Sequence, residues 1–187
     1  MDQIAKTPLQ VRARIAGGCY LLTFVTGSLA AIFTGPLAIW GDAAGLVATA
    51  FYVAVVVLFY DLFRVVNARV SALAALVGLV GCTAGALTPF HLVPFHINSL
   101  VFFGFYCLLI GYLIVRSTFM PRVIGGLMAL AGLGWLTFAS PSLAHDLPPF
   151  NVIPGLVGEG SLTIWLLARG LNVARWHEQG GLATAVV

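Results

Sequence analysis

Glu159 is the residue in this chain with the most chemical potential. It stands in Gly155-Leu156-Val157-Gly158-Glu159-Gly160-Ser161, inside an apolar run over 152–167 that carries no other charge. Read as a helix with ~1.5 Å rise per residue, the run places Glu159 about 12 Å below its outer end, and Arg169 about 15 Å further along, too far to pair. A carboxyl near the centre of a bilayer costs roughly 2.5–3.5 kcal/mol on insertion scales. It is therefore expected to face the interior of a helix bundle, where hydrocarbon tolerates the neutral acid best. Counting inward from the outer ends of the other apolar runs puts Thr26, Tyr52, Cys82, Tyr106 and Cys107 at similar depth. Tyr52, Tyr106 and Thr26 are the expected hydrogen-bond partners. Gly155, Gly158 and Gly160 would let a backbone or a ligand approach closely. Two roles fit such a group: a proton carrier or ligand anchor in a central cavity, or an interhelical tie worth about 1 kcal/mol.

Other polar residues offer less. Asp61 falls one turn before Arg64, an i,i+3 spacing that predicts a local ion pair at a membrane interface. His91, His96 and His145 gather with Asp42 and Asp146 in the outer links, but Pro94 and the spacing of His91 and His96 do not put two rings on one element. No metal site is expected there. Cys19, Cys82 and Cys107 lie in apolar runs without a CxxC spacing and read as small packing residues. Ala74, Gly78, Gly81, Cys82 and Gly85 give the third run a small-residue side suited to close helix contact, inside the bundle as the favoured reading or in a dimer as the alternative. The sequence holds no phosphate-cradling loop, nucleophile elbow, HExxH or dinucleotide fingerprint. No catalytic residue and no cofactor is expected.

The elements that must position Glu159 follow from composition. Of 187 residues, 60% are hydrophobic and 8% charged, against about 45–50% and about 25% in soluble domains. That rules out a soluble enzyme, a nucleic-acid module and a disordered chain, and leaves an all-α polytopic membrane bundle. Six runs, over 15–33, 43–63, 70–87, 97–115, 123–139 and 152–167, each approach the ~20 residues that cross a ~30 Å hydrocarbon layer. Short proline-bearing links join them into a single transmembrane domain, between an N-terminal tail of about 14 residues and a short C-terminal one. Trp40 and Trp176 suit the interfacial belts at opposite faces.

Positive charge sets the orientation. Lys6, Arg12 and Arg14 precede the first run; Arg64 and Arg69 bracket the second link, Arg116 and Arg122 the fourth, and Arg169 and Arg175 follow the last. All nine basic residues fall on one side, so the positive-inside rule predicts six crossings with both termini cytoplasmic. The net charge of +3 is thus a membrane signal and does not imply a nucleic-acid partner. The expected neighbour is the lipid bilayer, with a membrane-protein partner or a second copy as further candidates. Arg14, Arg69 and Arg122 open the outward runs, and Arg64, Arg116 and Arg169 close the inward ones at steps of 52 and 53 residues, as expected of compact hairpins with charged cytoplasmic ends; a triplicated helical hairpin is the alternative reading.

Three stretches resemble the bacterial membrane-protein family known as domain of unknown function 4386. The first is Ala13-Arg14-Ile15-Ala16-Gly17 with Tyr20-Leu21-Leu22-Thr23. The second is Phe103-Gly104-Phe105-Tyr106-Cys107-Leu108-Leu109-Ile110-Gly111-Tyr112-Leu113-Ile114, continuing through Arg116-Ser117 and Pro121-Arg122 to Ala131-Gly132-Leu133-Gly134-Trp135. The third is Leu156-Val157-Gly158-Glu159 with Trp165-Leu166-Leu167 and Gly170. Where the family has an aliphatic residue after the Gly-Glu pair, this chain has Gly160. The resemblance implies a multi-pass protein of the bacterial cytoplasmic membrane and supplies no substrate.

Three functions of different classes follow. The leading expectation is a non-enzymatic accessory or regulatory membrane component. The alternatives are a small carrier or proton-coupled binder using Glu159, and an intramembrane enzyme on a lipid or quinone with Glu159 and a tyrosine as acid and base. A cavity that reaches Glu159 from one face would favour the carrier or binder, and a filled interior the accessory role.

Overall fold

The computed structural model describes residues 2–92 and 98–185, with side chains for 9–92 and 98–181. His96 and the side chain of Lys6 lie outside the described residues. The chain folds into α1 (Asp2–Ile32), α2 (Ala38–Phe63), α3 (Ala68–Leu87), α4 (Ser99–Arg116), α5 (Arg122–Leu136), α6 (Pro141–Asp146), α7 (Ile153–Ala168) and α8 (Val173–Ala185), with no strand among the described residues. Five helical segments, in α1 to α5, are long and apolar enough to cross a membrane, and α7 is a shorter apolar helix. The limits of α3, α4, α5 and α7 follow the hydropathy reading to within a few residues because their boundaries are chemically marked, whereas α1 and α2 begin earlier than it gives. Asn67 and Asn98 cap α3 and α4 by accepting from Val70 N at 3.1 Å and Leu100 N at 2.9 Å, each an N-cap bond worth about 1 kcal/mol. Pro121 immediately precedes α5, and Pro154 sits in the first turn of α7, where its missing N–H leaves no helical bond unmade.

Two segments hold more structure than a reading by hydropathy gives. The expected N-terminal tail is the first part of α1. The residues after Arg169 turn at Gly170, whose φ is +66°, and continue as α8. Polar ties fix α8 to the basic end of the bundle: Trp176 Nε1 donates to Leu62 O at 2.8 Å, Thr118 N to Gln179 Oε1 at 2.9 Å, and Gln179 Nε2 to Arg116 O at 3.2 Å. Trp176 therefore works as a tie, half-buried, whereas Trp40 is 65% exposed, as an interfacial anchor would be.

The six apolar helices form a closed ring. Each of α1 to α5 packs on its neighbour in the chain, α5 packs on α7, and α7 returns to α1. In hydrocarbon the apolar effect between helices is weak, so close van der Waals contact must hold such a ring. Glycines supply it at the α4–α5 seam. A Cβ at Gly104 would lie 3.0 Å from Gly132 O and one at Gly132 2.7 Å from Gly104 O; one turn-pair along, Gly111 and Gly125 face each other in the same reciprocal way at 2.8 and 2.7 Å. The small side of α3 is also turned inward: a Cβ at Gly78 would meet Val56 at 2.9 Å and Tyr106 at 3.0 Å, and one at Gly81 would meet Phe102 and Phe103 at 3.0 Å. The ring encloses a core that includes Tyr20, Val55, Phe59, Tyr106, Ile110, Met128 and Leu162.

Candidate functional site

Glu159 sits in that core, 5% exposed, and the ring of helices decides what surrounds it. Tyr20 on α1 donates to Oε2 at 2.7 Å. Trp135 on α5 donates its indole N–H to Oε1. Cys107 on α4 points its thiol at Oε1 from 3.7 Å. Tyr52 on α2 stands one step back, its hydroxyl 3.5 Å from that of Tyr20 and its ring edge-on to Tyr20 and Tyr106. Four helices besides α7 thus contribute to one polar cluster, and Thr163, a turn further along α7, bonds back to Glu159 O at 2.8 Å.

The expected partners divide. Tyr52 reaches the cluster through Tyr20. Tyr106 is fully buried beside it, but its hydroxyl has no hydrogen-bond partner among the described residues. Thr26 does not join: its hydroxyl donates to Leu22 O at 2.7 Å and satisfies itself on its own helix. Tyr20 and Trp135 are the two donors that depth counting missed. A better register was available at the basic end, where Gln10 Nε2 donates to Arg169 O at 2.9 Å and Gln10 Oε1 accepts from Leu171 N at 3.0 Å. Ten residues along each helix from that tie stand Tyr20 and Glu159.

The glycines beside Glu159 have separate tasks. A Cβ at Gly158 would strike Leu127 O and come within 2.8 Å of Ala131 Cβ, and one at Gly155 would strike the Trp135 indole. These two let α7 lie against α5 and let Trp135 fold across α7 to its carboxyl. Gly160 faces open space, with nothing within 4 Å of a Cβ.

A cavity of about 450 Å³ reaches Glu159 from the end of the ring remote from the arginines. Thr23, Tyr52, Phe103, Trp135, Leu156 and Glu159 are among its walls, and exposed Ser28, Ala31 and Leu156 form part of them. A second space of about 230 Å³ lies at the α1–α7 seam against Gly160 and shares Phe24 and Leu156 with the first. No basic side chain pairs with Glu159 among the described residues; both recorded ion pairs are on Asp61, which meets Arg64 at 3.1 Å and Arg12 at 2.6 Å. The outer histidines and acids form no group of three metal-ligating residues among those described.

Chemically, the site can hold Glu159 in either protonation state. As a carboxylate it accepts from Tyr20, Trp135 and Cys107. As an acid with its proton on Oε2, it donates to Tyr20, whose hydroxyl can rotate toward Tyr52, while Oε1 keeps its indole donor. A tyrosine can reverse its role in this way and an indole N–H cannot, so the proton belongs on the Tyr20 side.

An apolar helical ring of this kind, with its polar groups turned inward, defines a helical membrane protein. Residues 83–170 match the family model described as Domain of unknown function (DUF4386), the family that the sequence resembles. The match carries Cys107, Trp135 and Glu159, whereas Tyr20 and Tyr52 lie before it. No curated protein and no solved structure matches the chain.

Proposed function

We propose that this is a six-crossing protein of the bacterial cytoplasmic membrane, with both termini in the cytoplasm, that binds a small, largely apolar molecule with Glu159 as the polar anchor. The observation that carries the reading is the cavity, which runs from the exposed end of the ring to that carboxyl. Its volume of about 450 Å³ lies within the roughly 300–1,000 Å³ usual for small-molecule sites, which are likewise mostly apolar with few convergent polar groups. A purely structural tie between helices needs no approach from outside. The basic end of the ring is tied by Gln10, Asp61 and α8, which favours binding from one side over free passage. An accessory role fits within this reading, with the bound molecule as the signal a partner senses.

Gly27 offers a direct test. It lines the cavity, and a Cβ there meets nothing within 4 Å, so Gly27→Leu fills the space without disturbing the ring. Native mass spectrometry of the protein taken from its own membranes is expected to show a bound small molecule that the variant loses, with the helical content of the two proteins equal by circular dichroism. Identical spectra for both proteins would remove the reading.

A further inference from the structure

From the walls of the cavity we infer that its ligand is a lipophilic organic cation, an ammonium carrying apolar substituents, which takes the place of the Glu159 proton. This rests on the binding function proposed above and assigns its ligand class.

Three observations converge on it. The first is charge. Glu159 has no basic partner among the described residues, and what would balance its carboxylate in the cavity is a proton or a cation. An anionic ligand would find no positive group among the described residues there and would be repelled by the carboxylate. The second is the wall itself. Phe24, Tyr52, Phe103 and Trp135 all line the space, and Tyr52 and Phe103 stand with ring centroids 4.6 Å apart. Aromatic faces attract a cation through their quadrupoles, and rings gathered round a site are the usual recognition of quaternary ammonium groups. The third is the route. The α1–α7 space, against Gly160, shares Phe24 and Leu156 with the main cavity, so an apolar molecule has a greasy surface leading to the same site.

Binding is then an exchange. The acid form of Glu159 gives up its proton from Oε2, by way of Tyr20 or the cavity, and the carboxylate that remains balances the ammonium. One proton is released for each cation bound. Among the described residues, the titratable groups that face Glu159 are Tyr20 on α1, Tyr52 on α2 and Tyr106 and Cys107 on α4, with Cys82 of α3 beside Tyr106. All are neutral when protonated, so none competes as a cation, and α5 contributes only the indole of Trp135.

The test compares benzyltrimethylammonium with neopentylbenzene, its uncharged carbon isostere, on the full chain in lipid nanodiscs by titration calorimetry. The ammonium is expected to bind at least tenfold more tightly than the isostere. Its heat should vary with the ionisation enthalpy of the buffer as one released proton requires, and its affinity should fall as the pH is lowered. Glu159→Gln should remove the tenfold preference and the proton release while leaving the isostere bound. Should that variant fail to fold, Phe103→Leu gives an independent reading: about threefold weaker ammonium binding, the size of one lost ring contact, with the isostere unaffected. Isostere binding as tight as that of the ammonium would overturn the cation while the cavity's binding function stands. If neither probe bound and Gly27→Leu also lost no native ligand, both would fall.

Discussion

At the scale of single residues, the question is what each donor to Glu159 contributes. Tyr20 and Trp135 each make one hydrogen bond to a buried carboxyl. Interhelical hydrogen bonds in membrane proteins average about 0.6 kcal/mol and reach about 1.7 kcal/mol. Tyr20→Phe leaves Oε2 without its donor and Tyr52 without its neighbour, so a loss of about 1 kcal/mol is expected. Glu159→Gln should cost less. Its amide oxygen can take the Oε1 place and keep the indole donor, and its NH₂ then faces Tyr20, whose hydroxyl can turn to accept. Thermal unfolding of the two variants in one detergent checks the order. A Gln variant less stable than the Tyr20→Phe protein would mean that the site depends on a permanent negative charge.

At the scale of helices, contact distances govern, and the two glycines that flank Glu159 separate cleanly. Gly158→Ala drives a methyl into Leu127 O. It should push α7 from α5, weaken the Trp135 bond and cost about 1–3 kcal/mol, as overpacking does. Gly160→Ala meets open space and replaces a poor helix residue, so it should be neutral or stabilise by up to about 1 kcal/mol. Parallel melting curves decide; equal losses would show that the α5–α7 contact is not the constraint. Much of this level was legible in the sequence. Apolar length, proline and arginine marked the helices, and the lone acid in the last of them pointed inward. The partners were harder to read because depth was counted from the outer links, which differ in length, and α7 has only 16 residues, about 24 Å of helix. Counted from the basic ends the register closes: Tyr20 is eight residues from Arg12, Tyr52 nine from Asp61, Cys107 nine from Arg116 and Glu159 ten from Arg169. Trp135 escaped even that ruler, since its indole reaches Glu159 only by crossing the face that Gly155 leaves bare. The reciprocal glycines of α4 and α5 were visible as two seven-residue spacings, but only antiparallel packing shows that they meet.

At the scale of the whole molecule, the ring is closed at one end and open at the other. Around the basic end, Asp61 takes both Arg12 and Arg64, Gln10 clasps Arg169 O and Leu171 N, and α8 lies tied to Leu62, Arg116 and Thr118. The ion pairs are partly exposed, so each contributes at most about 1 kcal/mol; the end holds because several such ties act together. Gly170 is needed there twice over, by its positive φ and because a Cβ would come within 2.6 Å of Gln10. In the orientation proposed above, which follows the positive-inside rule, the tied end is cytoplasmic and the cavity opens to the exterior. Two single cysteines in a Cys19→Ala background, which leaves only the buried Cys82 and Cys107, put that orientation to the test. Ser28→Cys, at the exposed cavity wall, should react with a membrane-impermeant maleimide on intact cells, and benzyltrimethylammonium should slow the reaction. Arg175→Cys, on exposed α8, should react only once the membrane is permeabilised. The reverse pattern would invert the protein in the bilayer, and labelling of both from one side would break the alternation of crossings on which the depth of Glu159 depends.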